Sequence, residues 1–352
     1  MKNRILYFMN VDWDWIKQRP HFIAEGLATK NEIKVIYQYR YQRDGLQNND
    51  RTVPLAPIYV IPKIDNLKYF NRINLFIKKN FVERQIKNFK PNIIYLTYPT
   101  QIYSIPDDYA GKIVYDCMDD HLAINNKSRE SIFKAEKILV QRANIVITSS
   151  KSLKNKLENR YNISRISIVR NGFNGPILEI KQQQLKRNKH LTLAYIGTIS
   201  HWFDTEVIKK SLKEIPELNY LLIGPFDAGE RISDPRVNYM GTVNHNQLFN
   251  KIKNVDALIM PFQVNQIIES VDPVKLYEYI NFNKDILSVE YDEIERFNSF
   301  VYFYKTYENY IAQLRELMQA KSVKYTDADR KEFLEKNSWL ERVREVNSLL
   351  EK

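Results

Sequence analysis

A chain of 352 residues is too long for one ordinary core, and its 44% hydrophobic and 27% charged content is globular, which excludes extended disorder. A single cysteine, Cys117, rules out an internal disulfide, and no apolar run approaches the roughly 20 residues that span a bilayer. The formal charge of +11 implies an anionic partner and leaves nucleic acid, anionic lipid and sugar phosphates open.

Short apolar segments alternate with helical patterns from end to end, which predicts parallel sheets built from βαβ units. The first strand, 5–9, is too short for a signal peptide, and with the lone cysteine this points to the cytoplasm. Further strands are predicted at 33–37, 58–61, 93–97, 113–115, 145–148 and 166–169, with helices at 18–29, 67–88, 127–142 and 151–160. A polar stretch at 181–190 precedes a second series. Its strands fall at 192–196, 220–223, 237–240, 257–260 and 286–289, and its helices at 203–213, 244–253 and 273–281. From 306 to 352 the chain reads as helical, with Leu340, Val343, Val346 and Leu350 forming a stripe. The expectation is an α/β chain of two doubly wound domains, 1–172 and 173–330, followed by a terminal helical segment, 331–352.

The densest basic stretch, 62–90, carries eight Lys or Arg and apolar residues at near-helical spacing. Such a helix either packs its apolar face on a sheet or lies on an anionic membrane surface.

In doubly wound sheets ligands bind beyond the carboxyl ends of the strands. No G-x-G-x-x-G and no P-loop motif is present among the nine glycines, which argues against a dinucleotide cofactor or P-loop chemistry. The stretch from Glu269 to Ile280 is the most informative. Pro273 suits a first helical position, with Asp272 as its N-cap. Backbone N–H groups from Ser270 through Val271 to Val274 would then make an anion site suited to a diphosphate. Lys275 adds positive charge, and Glu278 lies three residues later, within reach of a ribose.

On the other half, Asp116, Asp119, Asp120 and His121 follow a strand, and a carboxylate or imidazole there could act as general base. Asp119 and Asp120 could equally cap the next segment. Asp12, Asp14, Arg19 and His21 occupy the first strand-to-helix loop, fit to hold a sugar or phosphate or to make a cap and a salt bridge. Asp12-Trp13-Asp14 has D-x-D spacing but follows the first strand of a doubly wound unit, where no metal is expected. The five histidines show no metal-ligand spacing, and Cys117 reads as core.

The segment Pro273-Val-Lys-Leu-Tyr-Glu-Tyr279 resembles the P-x-K-x-x-E-Y stretch of bacterial GT-B glycosyltransferases of the capsule, teichuronic acid and surface-polysaccharide type. Other matches follow in order. Trp13-Asp14-Trp15 with Gln18-Arg19-Pro20-His21 resembles the family's first loop and helix start, and Tyr115-Asp116-Cys117-Met118-Asp119-Asp120 its Y-D-x-x-D-D motif. Val169 to Asn174 is similar to its domain-junction turn, Tyr195-Ile196-Gly197-Thr198 to its Y-x-G-T strand end, and Asn337-Ser338-Trp339 to the start of its final helix.

The resemblance implies two Rossmann-like domains facing a central cleft, with the final helix returning to the first domain. It implies that Glu278 holds the donor ribose, that Lys275 neutralises the diphosphate, and that Gly197 lets backbone approach it. Thr198, His201 and Asp204 would line the donor site, and Asp12, Asp14, Trp15, Arg19 and His21 the acceptor site. Where many retaining members carry a glutamate eight positions before Glu278 the chain has Ser270, so the stereochemical outcome stays open.

The implied activity is metal-independent, cofactor-free transfer of a sugar from a nucleotide-diphosphate donor, UDP-linked, to a saccharide or lipid-linked saccharide. No nucleic acid takes part, and the basic 62–90 stretch could touch the inner face of the cell membrane. A nucleotide-sugar 2-epimerase of the same fold and a non-catalytic basic RNA- or lipid-binding protein are the alternatives. The latter would leave the ordered motifs unexplained.

Overall fold

Every strand pairing in the computed structural model is parallel, as βαβ connectivity requires. The structure describes residues 2–41, 51–61, 68–124, 128–180 and 190–352. They form two units, Met1–Asn171 with Trp339–Lys352, and Gly172–Ser338.

Unit 1 runs β1 (Arg4–Met9), α1 (Arg19–Ala28), β2 (Glu32–Gln38), β3 (Leu55–Ile58), α2 (Lys68–Phe89), β4 (Ile93–Leu96), β5 (Lys112–Cys117), α3 (His121–Ile124), α4 (Arg129–Arg142), β6 (Ile145–Thr148), α5 (Lys151–Tyr161) and β7 (Ile166–Ile168). Its seven strands lie in the order β3-β2-β1-β4-β5-β6-β7, so the chain reverses direction between β1 and β4. Side chains alternate across a strand, and β1 sends Leu6 and Phe8 into one core and Ile5, Tyr7 and Met9 into the other. Both faces are buried, which is why these strands read as continuous apolar runs.

Unit 2 runs β8 (Leu191–Ile196), α6 (Thr205–Glu214), β9 (Leu218–Ile223), β10 (Val237–Gly241), α7 (His245–Lys251), β11 (Ala257–Met260), α8 (Val274–Asn281), β12 (Asp285–Val289), β13 (Val301–Tyr304), α9 (Tyr307–Gln319) and α10 (Asp327–Lys336). The strand order β10-β9-β8-β11-β12-β13 repeats the reversal, here between β8 and β11. The last helix, α11 (Trp339–Glu351), belongs to unit 1. It packs on α1, where Gly26 makes the approach possible: a Cβ there would stand 2.2 Å from a Val343 methyl. Trp339 stacks on Phe22 at 4.9 Å and Asn347 accepts a hydrogen bond from Asn31 at 2.9 Å. Residues 331–336, expected with this segment, end α10 in unit 2 instead.

Two edge strands depart from the sequence expectation. The third strand spans Leu55–Ile58 rather than 58–61, with Pro57 inside it. β3 lies at the sheet edge, and an edge strand tolerates a residue without an N–H. β13 is the other unforeseen strand, a four-residue Val-Tyr-Phe-Tyr edge too short to show a period. The helix expected at 67–88 is observed as Lys68–Phe89, and residues 62–67 and 181–189 of the expected basic and polar stretches lie outside the described residues. Among the described residues no helix is long and apolar enough to cross a membrane.

Candidate active site

The carboxyl ends of β8, β9 and β10 finish in Gly197, Gly224 and Gly241, all with positive φ (+146°, +141° and +71°). The three ends are stitched together, Gly197 N–H donating to Ile223 O and Gly224 N–H to Gly241 O, each at 2.8 Å. A Cβ on Gly224 would lie 2.1 Å from the Gly197 carbonyl oxygen, so the two turns pack backbone on backbone. A Cβ on Gly197 would meet Lys275 Cε at 2.2 Å and Nζ at 2.7 Å. The bare edge of Gly197 is thus where the Lys275 amine rests.

Lys275 is the second residue of α8, half-buried, with Nζ 6.0 Å from the centre of the Tyr195 ring. Among the described residues no carboxylate lies within ion-pair distance of its ammonium, the nearest influence being Glu278 one turn on. Burial lowers its pKa and Glu278 pulls it back up. A cation held this way, beside the first N–H groups of a helix, favours an anion.

The helix start differs from the sequence expectation. Pro273, not Asp272, is the N-cap. Asp272 is buried and ion-paired with Arg296, whose guanidinium also donates to the Tyr277 hydroxyl at 2.7 Å. The N–H groups of Ser270 and Val271 donate to Ile267 and Ile268 carbonyls in a 3-10 turn, and the Ser270 hydroxyl to Gln266 O at 3.1 Å. The donors that open the helix are therefore Val274 and Lys275, which precede any i−4 acceptor within it. Glu278 is half-buried on the same short helix.

Of the remaining donor-side candidates, Thr198 is half-buried, with its carbonyl accepting from the Tyr195 hydroxyl at 2.9 Å, and His201 is exposed. Asp204 is the N-cap of α6: its Oδ1 accepts from the Glu206 and Val207 N–H groups. It closes the turn that follows Gly197 by capping α6.

Unit 1 separates the acidic candidates by role. Asp116 is fully buried, gripped by Arg19 through Nε and Nη2 at 2.9–3.2 Å and by the Tyr95 hydroxyl at 2.8 Å. Burial alone would lower the Arg19 pKa, but Asp116 raises it above its ordinary value. Arg19 also donates to the Arg170 carbonyl at 3.1 Å, tying β5 and the first helix to the chain after β7. In this arrangement the two residues are engaged with each other. Asp120 is likewise engaged, at 3.1 Å from Lys156 and 3.2 Å from Arg160; burial would raise its pKa, but the two cations lower it. His121 is buried edge-on to Tyr98 at 4.8 Å, and burial pushes its pKa down to about 4, with Asp120 opposing. Asp119 alone of the group is exposed, yet crowding by surrounding protein raises its carboxyl pKa, with Arg19 pulling the other way.

The first loop is bound up in itself. Asp12 accepts from the N–H groups of Asp14 and Arg40 at 2.9 and 2.6 Å, and Asp14 pairs with Arg51 at 2.8 Å. His21 accepts from the Gln18 N–H at Nδ1, which leaves Nε2 to donate to the Trp13 carbonyl at 2.9 Å. Burial lowers the His21 pKa, consistent with this neutral ring clamping residues 13–18. Trp15 is half-buried beneath the Arg40 guanidinium at 4.4 Å. Among the described residues no group of three or more His, Cys, Asp or Glu is arranged around a metal site.

These two seven- and six-stranded units, with the final helix in the first, match known structures over almost the whole chain. Sucrose-phosphate synthase from Thermosynechococcus elongatus superposes at a TM-score of 0.74 with 11% identity, covering 99% of this chain and 98% of that one. TarM from S. aureus, solved with fondaparinux, alpha-GlcNAc-glycerol and UDP, gives 0.72 at 9% identity, covering 99% and 100%. The chain has the GT-B fold. In sequence, this GT-B chain is 24% identical over 197 residues to TuaH of Bacillus subtilis (strain 168), whose name assigns it as a glycosyltransferase of teichuronic acid biosynthesis. That match spans about half the length of each protein, 50% of this chain and 50% of TuaH. No family model matches.

The division of roles is testable by stability. Asp116→Ala should cost about 3–5 kcal/mol in urea unfolding by stranding a buried guanidinium, and exposed Asp119→Ala less than about 0.5 kcal/mol. Equal effects would contradict the assignment.

His121 makes acid stability measurable. Its native pKa of about 4 lies below its unfolded value of 6.5, so between these the unfolded chain holds the extra proton. Stability should therefore fall, by on the order of 3 kcal/mol, as pH drops from about 6.5 to about 4. A melting series should show this slope reduced in His121→Gln, and an unchanged slope would refute it.

Proposed function

We infer that this chain is a glycosyltransferase that moves a sugar from a nucleotide-diphosphate donor, UDP-linked, to a hydroxyl of a saccharide or lipid-linked saccharide in bacterial surface-polysaccharide synthesis. The observation that carries the reading is the Lys275 ammonium, which lacks an ion-pair partner among the described residues and lies against bare Gly197 at the start of α8. A diphosphate is the dianionic group that such a cation and the Val274 and Lys275 N–H donors would stabilise as it leaves. Glu278, one turn along, would accept from the ribose hydroxyls. TarM was solved with UDP, which supports uridine as the base, and the TuaH match supports a surface polymer as product.

In the transfer, the bond from the sugar's anomeric carbon to the diphosphate oxygen breaks and a bond to the acceptor oxygen forms. The acceptor hydroxyl loses its proton. Asp119, exposed and with a raised carboxyl pKa, is the acidic candidate best suited to take that proton if the anomeric centre inverts. Ser270, its hydroxyl turned to Gln266 O, places no carboxylate eight positions before Glu278. We assign Asp12, Asp14, Arg19 and His21 to holding the acceptor-side loop in shape rather than to touching the acceptor.

Titration calorimetry with UDP, GDP and ADP tests the donor site. UDP should bind, and Glu278→Ala and Lys275→Met should each weaken it about 10- to 100-fold, the worth of a charge-assisted hydrogen bond. An absence of nucleotide binding, or indifference to both substitutions, would overturn it. Incubation with donor alone separates the epimerase, which would release a free epimer or glycal without any acceptor.

Membrane contact is the second part of the reading. α2 exposes Phe76 (67%) and Leu75 (41%) beside Arg72, Lys78 and Lys79. Exposed rings among cations suit an anionic bilayer surface. Phosphatidylglycerol vesicles should co-sediment the protein, and Phe76→Ser with Lys78→Glu and Lys79→Glu should abolish this. Equal sedimentation of the variant would remove α2 from the account.

A further inference from the structure

Asparagine followed by glycine occurs twice in the chain, at Asn171-Gly172 and at Asn174-Gly175. Asparagine counts among the thermolabile residues. Its side-chain amide is most open to attack by the next backbone nitrogen when that residue is glycine, because no Cβ blocks the approach. Exposed loop positions are where such change concentrates.

The fold treats the two steps differently. Asn171 is half-buried and Gly172 is buried. Asn171 Oδ1 accepts from Arg19 Nη1 at 3.4 Å, and the Asn171 backbone carbonyl accepts from Arg342 Nε at 3.1 Å. A peptide group is planar, so holding that carbonyl also holds the Gly172 N–H. Nucleophile and target are thus each fixed by a guanidinium, and closing a ring between them would strain or break both bonds. Asn174 and Gly175, by contrast, are both exposed. Among the described residues no hydrogen bond holds the Asn174 side chain, its carbonyl or the Gly175 N–H. The space is open as well: among the described residues beyond its chain neighbours, a Cβ on Gly175 would meet only the Phe173 ring, at 4.0 Å. The flanking residues are anchored. Phe173 N–H donates to Asn337 O at 2.8 Å, and Pro176 O accepts from Asn281 Nδ2 at 3.2 Å. The Asn174–Gly175 peptide is left unheld between them.

We propose that Asn174 is a site of spontaneous deamidation and that the fold protects Asn171 from the same reaction. The Gly175 nitrogen forms a bond to Asn174 Cγ, the Cγ–Nδ2 bond breaks, and the Gly175 amide proton leaves with Nδ2 as ammonia. The cyclic succinimide then takes up one water and opens at either carbonyl, giving aspartate or isoaspartate. Either product lowers the formal charge of +11 by one. Isoaspartate also lengthens the backbone by one carbon between the anchored Phe173 and Pro176. The reaction uses only this segment and water, so the inference does not depend on the donor assignment.

Ageing the full chain in mildly alkaline buffer, followed by tandem mass spectrometry of the peptide Asn171–Lys181, tests it. Deamidation at Asn174 should run about 10-fold or more ahead of that at Asn171, a barrier difference of at least about 1.4 kcal/mol. In guanidinium chloride, with the fold removed, the two rates should come within about 3-fold of each other. Asn174→Gln should remove the modified peptide from the folded chain. No conversion of Asn174 in the folded chain, equal rates at the two residues there, protection of Asn171 that survives unfolding, or a modified peptide that persists in Asn174→Gln would each overturn the proposal.

Discussion

A lysine ammonium laid against a glycine is the contact on which the candidate site of unit 2 depends. Gly197 adopts a φ of +146° that other residues rarely hold, and even a methyl group there would collide with Lys275. The positive charge sits at the opening of α8 with its pKa lowered by burial. Among the described residues no carboxylate lies within ion-pair distance of it, and desolvating an ammonium costs several kcal/mol that an incoming phosphate would offset.

The surrounding framework fixes that contact. Asp272 does not cap α8 but is anchored to Arg296, and Tyr279 reaches back to donate to backbone carbonyls at the ends of β8 and β11. Helix and strand end are held by side chains three positions before and four positions after Lys275, so the amine has little room to wander. Unit 1 uses the same economy differently. Its buried Arg19–Asp116 pair joins the first helix, the fifth strand and the segment after β7, leaving Asp119 as the accessible acid at that strand end.

Much of the fold was legible because both faces of each sheet are covered, and fully buried parallel strands announce themselves as short apolar runs. The two edge strands escaped for opposite reasons: Pro57 reads as a strand breaker, and Val301–Tyr304 is too brief to show a pattern. At the proposed site, residue type and spacing pointed to Lys275 and Glu278 and the family resemblance to Gly197, and their placement on one turn and one helix follows from local geometry. Spacing could not tell a paired carboxylate from an accessible one. Asp116 and Asp120 depend on Arg19, Lys156 and Arg160, which lie 36 to 97 residues away in the chain. Gly224 and Gly241 went unremarked, although in a chain with only nine glycines a glycine closing each of three successive strands is a signal.

A crystal structure of the chain with UDP would probe this account most directly. It requires density for the diphosphate within hydrogen-bonding distance of the Val274 and Lys275 N–H groups, with the Lys275 amine turned onto it and the ribose hydroxyls on Glu278. UDP bound elsewhere on the chain, with Lys275 still resting on Gly197, would contradict it.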